Sequence, residues 1–203
     1  MKSDVTMNQR INTKTITKVG ILGAVATVLM LLEFPLWFAP SFYELDFSEV
    51  PVLLGAFALG PAAGAMIELV KILINFVVNG TDTGGVGEFA NFIIGCSFIV
   101  PAGYIYKRNK SFKTAILGLV VGTLTLAVAG AFLNYYLLLP LYAKIYGYPI
   151  QAFIDMGHAL NPAITDLKTF VLYAVVPFNL LKGVIVSAMV ILIYKKLSPI
   201  LHK

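Results

Sequence analysis

Glu68, Lys71, Asn75 and Asn79 follow one another at intervals of three and four residues, so a helix carries all four on one face. A carboxylate and an ammonium three apart can neutralise each other as an intrahelical pair. The amides nearer the far end, Asn75 and Asn79, are placed to line a ligand cavity. Farther along, Asn134 and then Asn179 and Lys182 stand in apolar surroundings. An amide there wants a partner inside a bundle. A lysine, with several hydrogens to donate, either pairs with a carboxylate such as Glu88 or meets the carbonyl oxygens of a ligand. Between residues 79 and 88 lie Gly80, Gly84, Gly85 and Gly87, and glycine permits close approach of backbone to a ligand. The same run is also a plain re-entrant turn, with Glu88 complementing the positive N-terminus of the next helix. Asp82 and Glu88 in it argue against binding an anion. Amide, lysine, carboxylate and tyrosine together suit a flat, uncharged, hydrogen-bonding organic ligand.

Much other chemistry lacks its residues. There is no Gly-x-x-x-x-Gly-Lys-[Ser/Thr] phosphate loop, no His-Glu-x-x-His and no Gly-x-Ser-x-Gly, which leaves ATP hydrolysis by that route, metalloproteolysis and serine hydrolysis unsupported. His158 and His202 are the only histidines, and Cys96 is the only cysteine, so multi-cysteine metal sites and disulfide frameworks are excluded. No enzymatic role and no cofactor or metal are expected.

The elements that position these residues must lie in a membrane. Of 203 residues, 59% are hydrophobic and 12% charged, against about 45–50% and about 25% in soluble domains. Apolar runs predict spans at Val19 to Trp37, Val50 to Leu59, Ala62 to Val78, Phe89 to Tyr106, Ala115 to Tyr142 and Phe170 to Tyr194. The second is short for a bilayer whose core needs about 20 residues. Charge supports counting it. Eleven of the 15 basic residues fall in three clusters, namely Lys2, Arg10, Lys14 and Lys18; Lys107, Arg108, Lys110 and Lys113; Lys195, Lys196 and Lys203. The positive-inside rule puts all three in the cytoplasm, which six crossings satisfy and five cannot. The expectation is an all-α polytopic membrane protein, one domain over 1–203, with both termini cytoplasmic. It has a leader at 1–17, an outer lid loop at 38–49, a cytoplasmic loop at 107–114 and an outer loop at 143–168. Seven of the ten acids then lie at or near the outer face: Glu44, Asp46, Glu49, Asp82, Glu88, Asp155 and Asp166. The net charge of +5 is a topology signal that calls for no nucleic acid. Small residues spaced by four, including Gly20 with Ala24 and Gly23 with Thr27, allow close helix approach, either within the chain or to an external partner. Tyr142 reads as part of an interfacial aromatic belt.

Four blocks carry a family resemblance: Asp46-Phe-Ser-Glu49-Val-Pro51; Gly60-Pro61 with Gly64, Glu68 and Lys71; Gly80-Thr-x-Thr-Gly84-Gly85-Val-Gly87-Glu88-x-Ala-Asn91; and Asn134-Tyr135. Together they resemble the riboflavin-specific substrate-binding (S) components of energy-coupling-factor (ECF) vitamin transporters, over nearly the whole chain. The resemblance implies a riboflavin site open to the outside, lidded by the loop between the first two helices. It also implies a separate transmembrane coupling protein and two ATPase subunits in a bacterial plasma membrane, with the small residues Gly20, Gly23, Ala24 and Ala26 of the first helix facing the coupling protein.

For such a ligand, depth in the bundle and side-chain chemistry put Asn91, Asn134, Asn179 and Lys182 at the polar edge of the flavin, and Tyr43, Leu45 and Tyr135 against its ring. Asp46, Asn75, Gly84 and Glu88 complete the candidate site, with Asp166 and Lys168 at its mouth. Two other readings compete. One is a proton-coupled secondary transporter working through Glu68 and Glu88; the other is a structural subunit whose polar residues only pair internally.

Overall fold

The computed structural model describes residues 13–201, so Lys2, Asp4, Arg10, His202 and Lys203, and most of the expected 1–17 leader, lie outside the described residues. The described chain is helical apart from one small ribbon. In order it runs α1 Thr13–Met30, β1 Phe34–Pro35, β2 Glu44–Leu45, α2 Glu49–Leu59, α3 Pro61–Asn79 and α4 Val86–Arg108. Then α5 Phe112–Leu133 passes through a π-helical turn, Asn134–Leu138, into α6 Leu139–Tyr146. After α7 Ile150–Leu160, the last rod joins α8 Leu167–Phe170, a second π-helical turn Val171–Val175 and α9 Val176–Leu201.

Five stretches are long and apolar enough to cross a membrane by length and composition: Thr13–Met30, Pro61–Asn79, Val86–Arg108, Phe112–Tyr146 and Leu167–Tyr194. The expected second span is different in kind. Helix α2 has 11 residues, about 16 Å of rise, roughly half of a hydrocarbon core. It is enclosed by α1, α3, α4 and α9, and Val52, Leu53, Ala56 and Phe57 are buried. A helix apolar on all sides belongs inside a bundle.

The first helix ends at Met30, short of the expected Trp37. Pro35 and Pro40 lack the N–H donors a helix needs, and the chain folds back instead as an antiparallel ribbon pairing Phe34 with Leu45 and Pro35 with Glu44. Trp37 is left 87% exposed in its loop. The expected outer loop at 143–168 is also more ordered than a loop: α6 runs to Tyr146, Gly147 stops it with a φ of +70°, and α7 follows. Each π-helical turn ends two residues before a proline, Pro140 and Pro177. A proline ring crowds the carbonyl four residues back, and the wider turn makes room for it.

Glycines set the closest crossings. A Cβ on Gly64 would stand 2.6 Å from Ala56 Cβ, and one on Gly118 would stand 2.7 Å from Ala102 O, so α3 meets α2 and α5 meets α4 backbone to backbone. Gly23 is likewise filled from within, 2.5 Å from Val70 Cγ1, and Ala26 is fully buried. Of the four small residues Gly20, Gly23, Ala24 and Ala26, Gly20 and Ala24 are exposed on α1 while Gly23 and Ala26 pack inside the bundle.

The two ends of the bundle differ in charge. The Gly60-Pro61 turn lies beside Lys107, and the Tyr106 and Tyr194 hydroxyls meet at 3.0 Å, gathering the ends of α4 and α9 near Lys107, Arg108 and Lys196. The ribbon, with α6 and α7, occupies the opposite, acidic end.

Candidate binding site

Between the ribbon and the bundle lies a cavity of about 260 Å³, close to the lower end of small-molecule sites at about 300 Å³. A vestibule of about 540 Å³ adjoins it, and Phe42, Glu44, Gly87, Asn91 and Tyr142 border both. The inner chamber is reached by side chains from several elements, among them Glu49 of α2, Asn91 of α4 and Tyr142 of α6. Met30 and Glu33 come from the end of α1 and the turn after it, Tyr43 and Asp46 from the ribbon segment, Asn134 from the first π-helical turn, and Phe178, Asn179 and Lys182 from α9.

The local folding explains why the polar groups point inward. Asn134 opens the π-helical turn, where the Leu139 amide donates to Asn134 O across five residues. Such widened turns recur at functional sites. Its own amide nitrogen donates to Gly130 O at 2.8 Å, leaving Oδ1 to accept the Tyr43 hydroxyl at 2.6 Å. Asn179 repeats the pattern on α9, donating to Val175 O at 2.9 Å. It lies flat over Gly130, where a Cβ would come within 2.7 Å of its Nδ2. Two amides are thus tied down by one N–H each and present their remaining polar groups to the cavity. Tyr43 packs at a tilt against Phe42 and Phe178, with ring centroids 4.7 and 5.5 Å away, so the lid is aromatic on its inner side.

Lys182 does not pair with Glu88. It meets Asp46 Oδ2 at 2.8 Å, with both side chains largely buried. The other Asp46 oxygen accepts the Ser48 amide at 2.7 Å. Burial pushes the Asp46 carboxyl up, but the Lys182 and Lys71 ammoniums and these hydrogen bonds outweigh it and hold the group at about 2. Glu88 instead accepts the Thr81 hydroxyl at 3.1 Å, knitting the glycine-rich turn together.

Beneath the chamber, Lys71 joins three partners: Glu49 Oε1 at 2.9 Å, Glu68 Oε1 at 2.8 Å and Ser48 Oγ at 3.1 Å. The Glu68–Lys71 pair is the one that helical spacing anticipates, and Glu49 from α2 extends it. Glu68 Oε1 is in ion-pair contact with the ammonium but off the direction of a hydrogen bond. At the mouth, Glu33 titrates above the usual carboxylate range because of burial and the neighbouring Glu44 and Asp46 charges.

The structure gathers Tyr43, Asp46, Asn91, Asn134, Asn179 and Lys182 around the chamber, and Asn75 and Glu88 around the vestibule with Asn91. Asn75 accepts the Asn79 amide at 3.2 Å. The remaining candidates stand elsewhere. Leu45 is buried beneath the lid with Ala39 and Phe178. Gly84 borders an apolar groove with Phe89 and Leu141. Tyr135 and Lys168 line another groove, with Phe132 and Leu172. Asp166 is exposed and caps α8 by accepting the Thr169 amide at 2.7 Å.

Glu33, Phe42, Glu49, Tyr142 and Phe178 line the chamber without having been singled out for it. Only two carried a signal: Glu33 as the one charge in the first apolar run, and Phe178 as the neighbour of Asn179.

The family model for the ECF transporter, substrate-specific component, matches residues 14–194. The chain is 38% identical to a riboflavin transporter, RibU, of Staphylococcus aureus (strain TCH60), over 97% of this chain and 96% of the relative. It is 35% identical to the riboflavin transporter FmnP of Bacillus subtilis (strain 168), over 92% and 93%. A solved structure described as the S component of a bacterial ECF transporter superposes with a TM-score of 0.72 at 35% identity, covering 94% of this chain and 98% of that one. These matches place the protein in a bacterial cell membrane as a multi-pass component of a transport system. The chain belongs to the substrate-specific components of ECF transporters.

Proposed function

We propose that this chain captures riboflavin from outside the cell and delivers it inward in concert with an ATP-driven coupling module. The observation that carries this reading is the meeting of Asn134, Asn179 and Lys182 with the aromatic lid residues Phe42 and Tyr43 around one chamber. A flavin offers a flat ring and an edge of carbonyl, imide and ring-nitrogen groups. Paired amides and an ammonium supply both acceptors and donors for that edge, and aromatic rings cover its faces. The names of the Staphylococcus and Bacillus relatives point to the same ligand.

In this reading the chain crosses the membrane six times, with α2 as the short inner pass, and both termini are cytoplasmic. The basic end of the bundle faces the cytoplasm, including the loop at 107–114, and the ribbon over 38–49 and the segment 143–168 face outside. The partners are a transmembrane coupling protein and two ATPase subunits, and the exposed stripe at Gly20 and Ala24 is the part of α1 free to meet the coupling protein. No catalytic step falls to this chain, and riboflavin is its cargo rather than a cofactor.

Riboflavin uptake into ATP-loaded vesicles tests the division of labour. Vesicles with this chain alone are expected to bind labelled riboflavin without accumulating it, and those that also contain the coupling module to accumulate it. Accumulation by the chain alone would favour a self-sufficient secondary transporter.

A further inference from the structure

Away from the chamber, on the flank of the bundle, a groove of about 690 Å³ runs between the α5 rod and the last rod. One wall carries Ala127, Ala131 and Tyr135, the other Lys168, Leu172 and Val176. Spacing by four keeps each set on one helix face, and eight residue steps give each wall about 12 Å of rise. The two π-helical turns touch, and the rods run in opposite directions. Lys168 and Tyr135 therefore stand together at the ribbon end, and Ala127 and Val176 at the end nearer the middle of the bundle. The floor is small and closed, with Ala127 and Val171 buried, while Phe132, Tyr136 and Leu172 stand exposed along the rim.

Both rods are long and apolar enough to cross a membrane, so what meets this flank is lipid. The groove covers most of the depth of one leaflet, about half of a roughly 30 Å hydrocarbon core. Its polarity is that of an amphiphile's partner. Lys168 is the one charged side chain that lines it. The lysine is exposed, and no carboxylate lies within ion-pair distance of it among the described residues. Asp166, two residues away, directs its carboxylate to the Thr169 amide and hydroxyl. Tyr135 and Tyr136 stand at the same end, where phenols sit level with headgroups. We propose that this groove is a site for one anionic phospholipid, with an acyl chain between the rods and its phosphate at Lys168. The site is independent of the cargo that the chamber holds.

The test uses the full-length protein in nonionic detergent, mixed with equal amounts of dioleoylphosphatidylglycerol and dioleoylphosphatidylcholine, with bound lipids counted by native mass spectrometry. One lysine at an anionic lipid surface is worth about a fivefold preference, so the first lipid retained should be phosphatidylglycerol by about that factor. Lys168→Gln should abolish the preference while phosphatidylcholine still binds, and Lys168→Arg should keep it. Ala131→Phe, which fills the floor, should lower retention of both lipids. Equal retention of the two lipids by the unmodified protein would overturn the proposal, as would a preference that survives Lys168→Gln. Retention undiminished by a folded Ala131→Phe variant would do the same. If that variant fails to fold, the lysine pair decides alone. Dimers in place of lipid adducts would give the groove to a second copy of the chain and also overturn it.

Discussion

Replacing Lys182 with methionine keeps most of the side chain's length and removes its charge. Asp46 then retains the Ser48 amide but loses the ammonium 2.8 Å away. Breaking a buried pair by removing one partner costs about 3–5 kcal/mol, because an uncompensated charge stays behind. Asp46 sits in the segment that covers the chamber, so the penalty is relieved by letting that segment open to water. Lys182→Met is therefore expected to lower stability in detergent and to expose the lid to proteolysis. The companion change Asp46→Asn leaves Lys182 unpaired, and the double variant Asp46→Asn/Lys182→Met removes both charges and should recover much of the loss.

The cycle is read twice, by chemical or thermal unfolding and by riboflavin titration. In the stability cycle a coupling energy well above about 0.5 kcal/mol is expected, the level at which independent sites simply add. In the binding cycle, recovery should fail, because the proposed site also uses Lys182 at the flavin edge. Additive stability losses would refute the ion-pair tether. Recovered riboflavin affinity in the double variant would remove Lys182 from the ligand's contacts.

Three further outcomes follow from the same geometry. Asn134→Ala leaves the Tyr43 hydroxyl and a ligand group unpartnered, and riboflavin titration should show a loss of at least about 1 kcal/mol; unchanged affinity would take Asn134 out of the site. Gly130→Ala puts a methyl 2.7 Å from Asn179 Nδ2, so binding should weaken several-fold while the protein still purifies as a folded species, as judged by circular dichroism. Asp46 is held at about 2, below its ordinary 3.8, so its contribution is fully present above the ordinary value and is lost only as pH falls toward the lower one. As far as this tether controls the lid, riboflavin affinity should stay level between about pH 7 and pH 5, and a steep fall in that window would contradict it.

What could be read ahead of the structure divides along sequence separation. Glu68 and Lys71 share one helix turn, and their pairing needed only the helical repeat. Their third partner, Glu49, comes from another helix, and nothing local announces it. Lys182 was recognisable as a charge in need of a carboxylate, but Asp46 lies 136 residues away, and choosing it over Glu88 required knowing that the ribbon folds over α9. The long apolar spans were plain from composition, with ends displaced by a few residues. The exception was α1, whose apolar run continues past Met30 into a segment that Pro35 and Pro40 divert into a ribbon. Tyr142 shows a further limit. An interfacial tyrosine and a cavity-lining tyrosine look alike in sequence, and only the packing of α6 beside the glycine-rich turn decides between them. The π-helical turns have no sequence period of their own, although the prolines two residues beyond them give a reason for the wider geometry.

The central claim is that the chamber beneath the lid is a riboflavin site. Equilibrium titration of the purified protein with riboflavin, followed by the quenching of flavin fluorescence and repeated with the Asn179→Ala/Lys182→Met variant, tests it most directly. The expected result is saturable, one-to-one binding with a Kd below about 1 μM, equivalent to about −8.2 kcal/mol, lost in a variant that still folds. Absence of saturable binding by the unmodified protein, or undiminished binding by the variant, would contradict it.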